Sequence, residues 1–294
     1  MDYPMKYQSV FRPGLFAGQI IIVTGGGSGL GRCTAHELAS LGATVALVGR
    51  KIEKLNAVQQ EIMTAGGKAS VHVCDIRDEA LVRSMVSTVL AQHGAIHHLV
   101  NNAGGQFPAL ARNLTLNGWE AVIKNNLTGG FLVSRECYTQ WMEAHGGAIV
   151  NIIADIWGGM PHMAHSGAAR AGMLSLTETA ACEWAHSGVR VNAVAPGWIA
   201  SSGFDTYSPE VQKEMRGWKK KVPLQRFGTE AEISAAIVFL LSEAASFITG
   251  SCIRVDGGVP NARHTWTMIP HQRSKPFGGF PLATQPKSQA VQDE

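Results

Sequence analysis

Apolar positions in this chain fall into two alternating rhythms. Short runs such as Ile20-Ile21-Ile22-Val23 are apolar and β-branched at every position, as a strand buried on both faces would be. Longer stretches such as Arg32 to Leu41 carry apolar residues at helical spacing and stop at a glycine, here Gly42. The same reading predicts strands at Thr44–Val48, Ala69–Cys74, His97–Val100, Ala148–Ile153, Val189–Val194 and Cys252–Val255. It predicts helices at Glu53–Ala65, about 78–93, Gly118–Met142, Ala164–His186 and Glu230–Leu241. The alternation is unbroken from residue 18 to 258, which implies a single α/β domain built on a parallel sheet of about seven strands flanked by helices. Residues 1–17 read as an arm, 200–228 as an irregular loop, and 259–294 as a tail laid on a neighbouring molecule or partly disordered.

The first strand runs into Thr24-Gly25-Gly26-Gly27-Ser28-Gly29-Leu30-Gly31 and then into a helix. A glycine-rich turn at that place lets backbone N–H groups approach a pyrophosphate, whose charge the helix N-terminus favours. The second strand ends at Gly49-Arg50-Lys51, with no carboxylate to bind a ribose 2′-hydroxyl. A guanidinium there is a fork for a 2′-phosphate, so NADPH is the expected cofactor rather than NADH. Asp75, beside Ile76 at the end of the third strand, can accept from an adenine amino group or cap the next helix. Asn101-Asn102-Ala103-Gly104-Gly105 offers small residues that let the backbone pass close to a ribose. Asn126 lies inside a long predicted helix, where an amide is unfavourable unless its side chain has a task.

Composition narrows the classes. The net charge of +3 and the lack of a basic, aromatic-laced surface speak against nucleic acid. The five cysteines form no C-x-x-C pair and read as reduced core thiols of a cytoplasmic protein. The first residues hold no apolar core of a signal peptide, and no apolar run approaches the ~18 residues of a membrane span. Gln292-Asp293-Glu294 carries no peroxisomal or retention signal. No metal site is expected.

Taken together, the turn Thr24–Gly31, the segment Asn101–Gly104, Asn126, the run Pro196-Gly197-Trp198-Ile199 and the ending Asp256-Gly257-Gly258 resemble the short-chain dehydrogenase/reductase family over about residues 16–260. The resemblance implies a Rossmann-type doubly wound sheet, a nicotinamide cofactor and a homotetramer. It also implies that Gly25, Ser28, Gly29, Leu30 and Gly31 line the pyrophosphate and that Asp75 and Ile76 hold adenine. Asn102, Ala103 and Gly104 would then lie along the ribose. Pro196, Gly197, Ile199 and Ser201 would lie at the nicotinamide, with Ile199 and Ser201 on its carboxamide. A narrower resemblance, carried by Gly104-Gly105-Gln106-Phe107 and by His165 to Gly172, is to the trans-2-enoyl-CoA reductase branch and to bacterial citronellol and citronellal dehydrogenase-like proteins.

The family's usual catalytic set is a serine after the fifth strand and a Tyr-x-x-x-Lys on the next helix. Here Ala154 and Asp155 follow the fifth strand, Ser166 stands where the tyrosine is expected, and Arg170 stands at the lysine. Ser166 and Arg170 are four apart on one helix and share a face. A serine hydroxyl is a poor acid, and arginine keeps its proton in proteins. That set suits holding negative charge on an enolate better than exchanging a proton with an alcohol. The expected reaction is hydride transfer to an unsaturated acyl thioester, an acyl-CoA, with Asn126, Ser166 and Arg170 as catalytic residues and Arg170 also on the cofactor. Asp155, His162 and His165 are alternative acids. Arg216 with Lys219–Lys221 would meet coenzyme A phosphates or form a solvated face. A terpenoid alcohol or aldehyde dehydrogenase, with Trp198, Met160 and Met163 around the substrate, and an NADP-binding protein without turnover are the alternatives.

Overall fold

The structure is a computed structural model that describes residues 6–262 and 267–286. Its centre is a parallel sheet of β1 (Ile20–Thr24), β2 (Thr44–Gly49), β3 (Lys68–Val73), β4 (His98–Asn101), β5 (Gly147–Ile152), β6 (Val189–Pro196) and β7 (Cys252–Val255), in the spatial order β3-β2-β1-β4-β5-β6-β7. The chain winds outward in one direction from β1 and in the other from β4. A crevice therefore opens between the carboxyl ends of these two strands, where open α/β sheets bind ligands.

Alternate strand residues feed two apolar layers. Ile21, Val23, Val45 and Leu47 pack under α1 (Gly29–Ser40), α2 (Ile52–Thr64) and α9 (Glu230–Leu241). Ile20, Ile22, Ala46 and Val48 pack under α3 (Glu79–His93), α5 (Gly129–Cys137) and the C-terminal half of α7 (Ala164–Glu183). The branched strand residues thus account for a sheet covered on both sides. Asp78, not Asp75, caps α3, accepting from Leu81 N at 3.0 Å.

The predicted helix over 118–142 is one rod with two irregularities. α4 (Leu116–Ile123), α5 and the one-turn α6 (Glu143–His145) are joined by π-helical turns at Lys124–Thr128 and Tyr138–Met142. The first of these holds Asn126 and turns its buried amide toward the sheet ends. Inserted π turns of this kind recur at functional sites.

One expectation is corrected. The stretch 200–228 is not irregular throughout: Ser208 accepts from Val211 N and starts α8 (Pro209–Trp218), with Pro209 in its first turn. The described part of the tail lies on its own chain. His271 Nε2 bonds with Pro223 O, Arg226 donates to Ser274 Oγ, Thr229 Oγ1 donates to Phe277 O at 2.7 Å, and Gln8 N donates to Gly279 O. Phe280 is buried, stacks on Tyr7 at 5.8 Å and lies under the Arg32 guanidinium. Residues 1–5 of the arm and residues 263–266 and 287–294 of the tail lie outside the described residues.

Candidate active site

The dinucleotide turn is fixed by hydrogen bonds to the end of β4. Thr24 Oγ1 donates to Val100 O and accepts from Asn102 N and Ala103 N, both at 3.0 Å, while Asn102 Nδ2 donates to Thr24 O at 2.9 Å. Asn102 therefore braces the turn with its side chain. Gly25 has φ +67°, and a Cβ there would sit 2.8 Å from Asn102 Nδ2; one at Gly31 would overlap the Gly25 carbonyl. Only glycine fits both places. Ser28 occupies the N-cap of α1, yet its hydroxyl caps nothing, and the first turn of α1 holds no acidic residue. An unused hydroxyl and free helix N–H groups suit a phosphate, so the residues present fit a dinucleotide.

At the adenosine end, Arg50 is exposed and makes no hydrogen bond or ion pair to any described residue. Asp75, by contrast, is already engaged. Arg77 Nη2 and Nε reach its two oxygens at 2.5 and 2.9 Å, and these bonds, with the Arg50 charge, hold the carboxyl below its ordinary range. Ile76 is buried against Gly129.

At the opposite end, Arg170 donates through Nη1 to Ile152 O at 2.6 Å, and its buried Nε has no partner among the described residues. A Cβ on Gly104 would come within 2.5 Å of Arg170 Nη2 and 3.1 Å of Asn126 Oδ1, so the glycine makes room for both side chains. Asn126 Oδ1 accepts from Gly105 N at 2.9 Å, and Asn126 Nδ2 is buried with no partner among the described residues. Burial lowers the Arg170 guanidinium to about 10, which leaves it charged at neutral pH. The structure thus brings Asn126, Arg170 and Gly104 together at the ends of β4 and β5.

Ser166 is close by in the sequence of α7 but sealed. Its relative exposure is 0%, and its hydroxyl donates to Gln106 Oε1 at 2.5 Å. The side chain that reaches solvent at this spot belongs to Gln106. His165 is also 0% exposed; its Nδ1 accepts from Ser166 N, and its ring meets Phe107 edge-on at 4.7 Å. Ala109 N donates to His162 O at 2.8 Å, and residues 109 and 163 form a β-bridge. The segment after β4 is therefore fastened along the start of α7. Gln106 entered the sequence reading only within the motif Gly104–Phe107, not as a site residue; its contact with Ser166 joins positions 60 residues apart.

Among the other candidates, Asp155 is partly buried, and its carboxyl is raised by desolvation and by the neighbouring Asp256 charge. His162 adopts φ +65°, a left-handed backbone that aims its carbonyl at Ala109. Trp198 packs on Trp218 at 4.9 Å and, with Ile199, lines a cavity of about 620 Å³ that also touches Asp256 and Gly258 but not Gln106, Ser166 or Arg170. A Cβ on Gly197 would lie 2.7 Å from Asp256 Cα, which packs the end of β6 against that of β7. Ser201 Oγ accepts from Gly203 N. Met160 packs on Gly167 of α7. Lys219 lines a second cavity, of about 500 Å³, beneath the tail, while Lys220 and Lys221 are exposed. Among the described residues no group of His, Cys, Asp and Glu could hold a metal, and no helix is long and apolar enough to cross a membrane.

Comparison with known proteins adds four findings. Residues 25–260 match the family model described as enoyl-(acyl carrier protein) reductase. The chain is 41% identical over 241 residues, 81% of its length and 95% of the relative's, to a protein of Bacillus subtilis (strain 168) named "Probable 2,4-dienoyl-CoA reductase [(2E)-enoyl-CoA-producing]". It is 34% identical over 255 residues, 86% of its length and 85% of the relative's, to the peroxisomal 2,4-dienoyl-CoA reductase of Danio rerio. Among solved structures, the citronellol catabolism dehydrogenase (AtuB) of Pseudomonas aeruginosa PAO1 superposes with a TM-score of 0.79 and 57% identity, covering 86% of this chain and 100% of that one.

Proposed function

The chain belongs to the short-chain dehydrogenase/reductase family, a family of nicotinamide-dependent oxidoreductases, and on that premise we propose that it is an NADPH-dependent reductase of a conjugated acyl thioester. One observation carries the reading: the hydroxyl at the family's tyrosine position, Ser166, is sealed and spends its hydrogen on Gln106, so the site presents an oriented amide where a titratable acid is usual.

A nicotinamide bound at this turn would supply a hydride. The protein's part is to hold the charge that then collects on the thioester oxygen. With its Oε1 held by Ser166, the exposed Gln106 keeps its two N–H donors for a ligand. A donor placed beforehand against developing charge is typically worth ~3 kcal/mol. Arg170 adds a permanent positive charge in partly desolvated surroundings, where charge acts more strongly than in water. Asn126 fixes the backbone at Gly105 and with it the base of the Gln106 segment. None of these groups loses a proton near neutral pH, so the α-carbon proton comes from water. The enoyl- and dienoyl-CoA reductases among the relatives support this substrate class. Arg50, exposed at the end of β2 with no hydrogen bond or ion pair among the described residues, supports NADPH.

A second reading, oxidation of a branched terpenoid alcohol such as citronellol, is favoured by the 57% identity to the citronellol catabolism dehydrogenase. Crotonyl-CoA, longer enoyl- and dienoyl-CoAs and citronellol, each followed by nicotinamide absorbance, separate the two. Consumption of NADPH with the thioesters supports the first reading. Brisk oxidation of citronellol with no thioester turnover overturns it in favour of the second.

A further inference from the structure

One buried carboxyl has no part in the mechanism above. Glu230 begins α9, is 5% exposed, and makes no hydrogen bond through its side chain to any described residue. It is not needed as a helix cap, because Thr229 and Glu232 already form a complete capping box. Its carboxyl lies against the dinucleotide turn: a Cβ added to Gly29 would be 3.9 Å from Glu230 Oε1. Gly29 opens α1, whose N–H groups face the pyrophosphate position.

The groups around Glu230 offer its charge little relief. On α1, Arg32 is the one cation that favours ionisation, and its Nε and Nη2 are both committed to Glu61 at 2.8 and 2.9 Å. Cys33 is a buried thiol pushed well up, and Glu37, one turn further, adds a carboxyl held by Ser9 and Ser234. Tyr7, from the N-terminal arm, is buried beside Cys33 and raised by that burial. In the cavity under the tail, which Glu230 also lines, Arg226 is closed on Glu232, and Lys219 and His271 form other parts of the wall. Burial pushes the Glu230 carboxyl up to about 7 before any ligand arrives.

We propose that Glu230 belongs to the dinucleotide's phosphate-binding site and serves it with its proton on, its O–H donating toward the pyrophosphate, so that above neutrality cofactor binding draws a proton from solvent. A carboxylate in that place would face the pyrophosphate across partly dehydrated space, whereas the neutral acid is a donor there. The inference rests on the reading of the turn as a nicotinamide dinucleotide site.

The test is the affinity for NADPH by fluorescence titration from pH 6 to 8.5, with calorimetry in two buffers of different ionisation enthalpy to count protons. Glu230→Gln and Glu230→Ala are compared with the unaltered chain, and NADH is titrated in parallel because it has no 2′-phosphate to titrate. Affinity is expected to fall above neutrality, approaching tenfold per pH unit, with proton uptake on binding that is small at pH 6 and rises toward one by pH 8.5. Glu230→Gln, a neutral donor, should bind tightly with that slope removed; Glu230→Ala should remove the slope and bind several-fold more weakly at pH 6. Should Glu230→Ala fail to fold, the near-isosteric Glu230→Gln decides. Tight binding with no proton uptake, or an undiminished slope in Glu230→Gln, overturns this proposal and leaves the cofactor reading intact. Absence of binding at every pH overturns both.

Discussion

Thr24 and Asn102 close one another's hydrogen bonds across 78 residues of chain: Asn102 N donates to Thr24 Oγ1, and Asn102 Nδ2 donates to Thr24 O. The pair locks the carboxyl ends of β1 and β4 at the point where the sheet reverses its winding. Asn102→Ala leaves the Thr24 carbonyl without its donor. The expected loss is ~1–3 kcal/mol of stability, seen as a lower urea midpoint, together with weaker cofactor binding. Cofactor affinity unchanged in a destabilised protein would confine Asn102 to a folding role.

Gln106 and Ser166 should respond differently to substitution. Gln106→Leu keeps the bulk and removes the donors, and kcat for an enoyl-CoA is expected to drop ~100-fold or more with little change in KM. Ser166→Ala frees the amide to rotate but leaves it present, so a smaller drop is expected. A larger loss in Ser166→Ala than in Gln106→Leu would return the serine to direct contact with substrate.

The proposed preference for NADPH can be tested at Arg50. Arg50→Glu places a carboxylate at the end of β2, where it repels a 2′-phosphate and accepts from a 2′-hydroxyl. NADPH is expected to lose at least tenfold in kcat/KM while NADH holds or gains. An unchanged ratio of the two would remove Arg50 from the site.

Phe280 joins the tail to the cofactor helix. It is 4% exposed, between Tyr7, His36 and the Arg32 guanidinium. Phe280→Ala is expected to cost ~3–5 kcal/mol by the usual cost of truncating a buried aromatic, read as a drop in the melting temperature. A tail that merely rested on the surface would give a change near zero.

Buried histidines set a lower pH limit on stability. Burial holds His98 down to about 3, and burial with the nearby His93 holds His72 down to about 4. Both values lie below the ~6.5 of an unfolded histidine, so between pH 6.5 and 4 the unfolded chain binds protons that the folded chain refuses. Stability contributed by the neutral rings is present above pH 6.5 and declines as pH falls, by up to ~1.4 kcal/mol per pH unit for each ring. His98 Nε2 meets Gln19 Oε1, and its Nδ1 accepts from Ala148 N. Replacing His72 with glutamine should make the decline between pH 6.5 and 5 shallower in chemical denaturation; an unchanged slope would count against its share.

The chain's own pattern determined the sheet. Seven predicted runs became seven strands with ends shifted by two residues at most, as at β6, because the central strands, buried on both faces, are apolar at nearly every position. The Gly25–Gly31 turn was legible for a similar reason: a strand, a tight turn and a helix N-terminus are all local. The π turn around Asn126 was visible only as an awkward amide, and α8 was lost in a stretch of mixed character even though Ser208-Pro209 marks its start. Tertiary structure alone decided that the Ser166 hydroxyl meets Gln106, that Arg77 occupies Asp75, and that Phe280 closes on Tyr7. Spacing along a helix says which side chains share a face. It does not say which distant segment will cover that face, because the cover is chosen by packing between parts of the chain that no local rhythm connects.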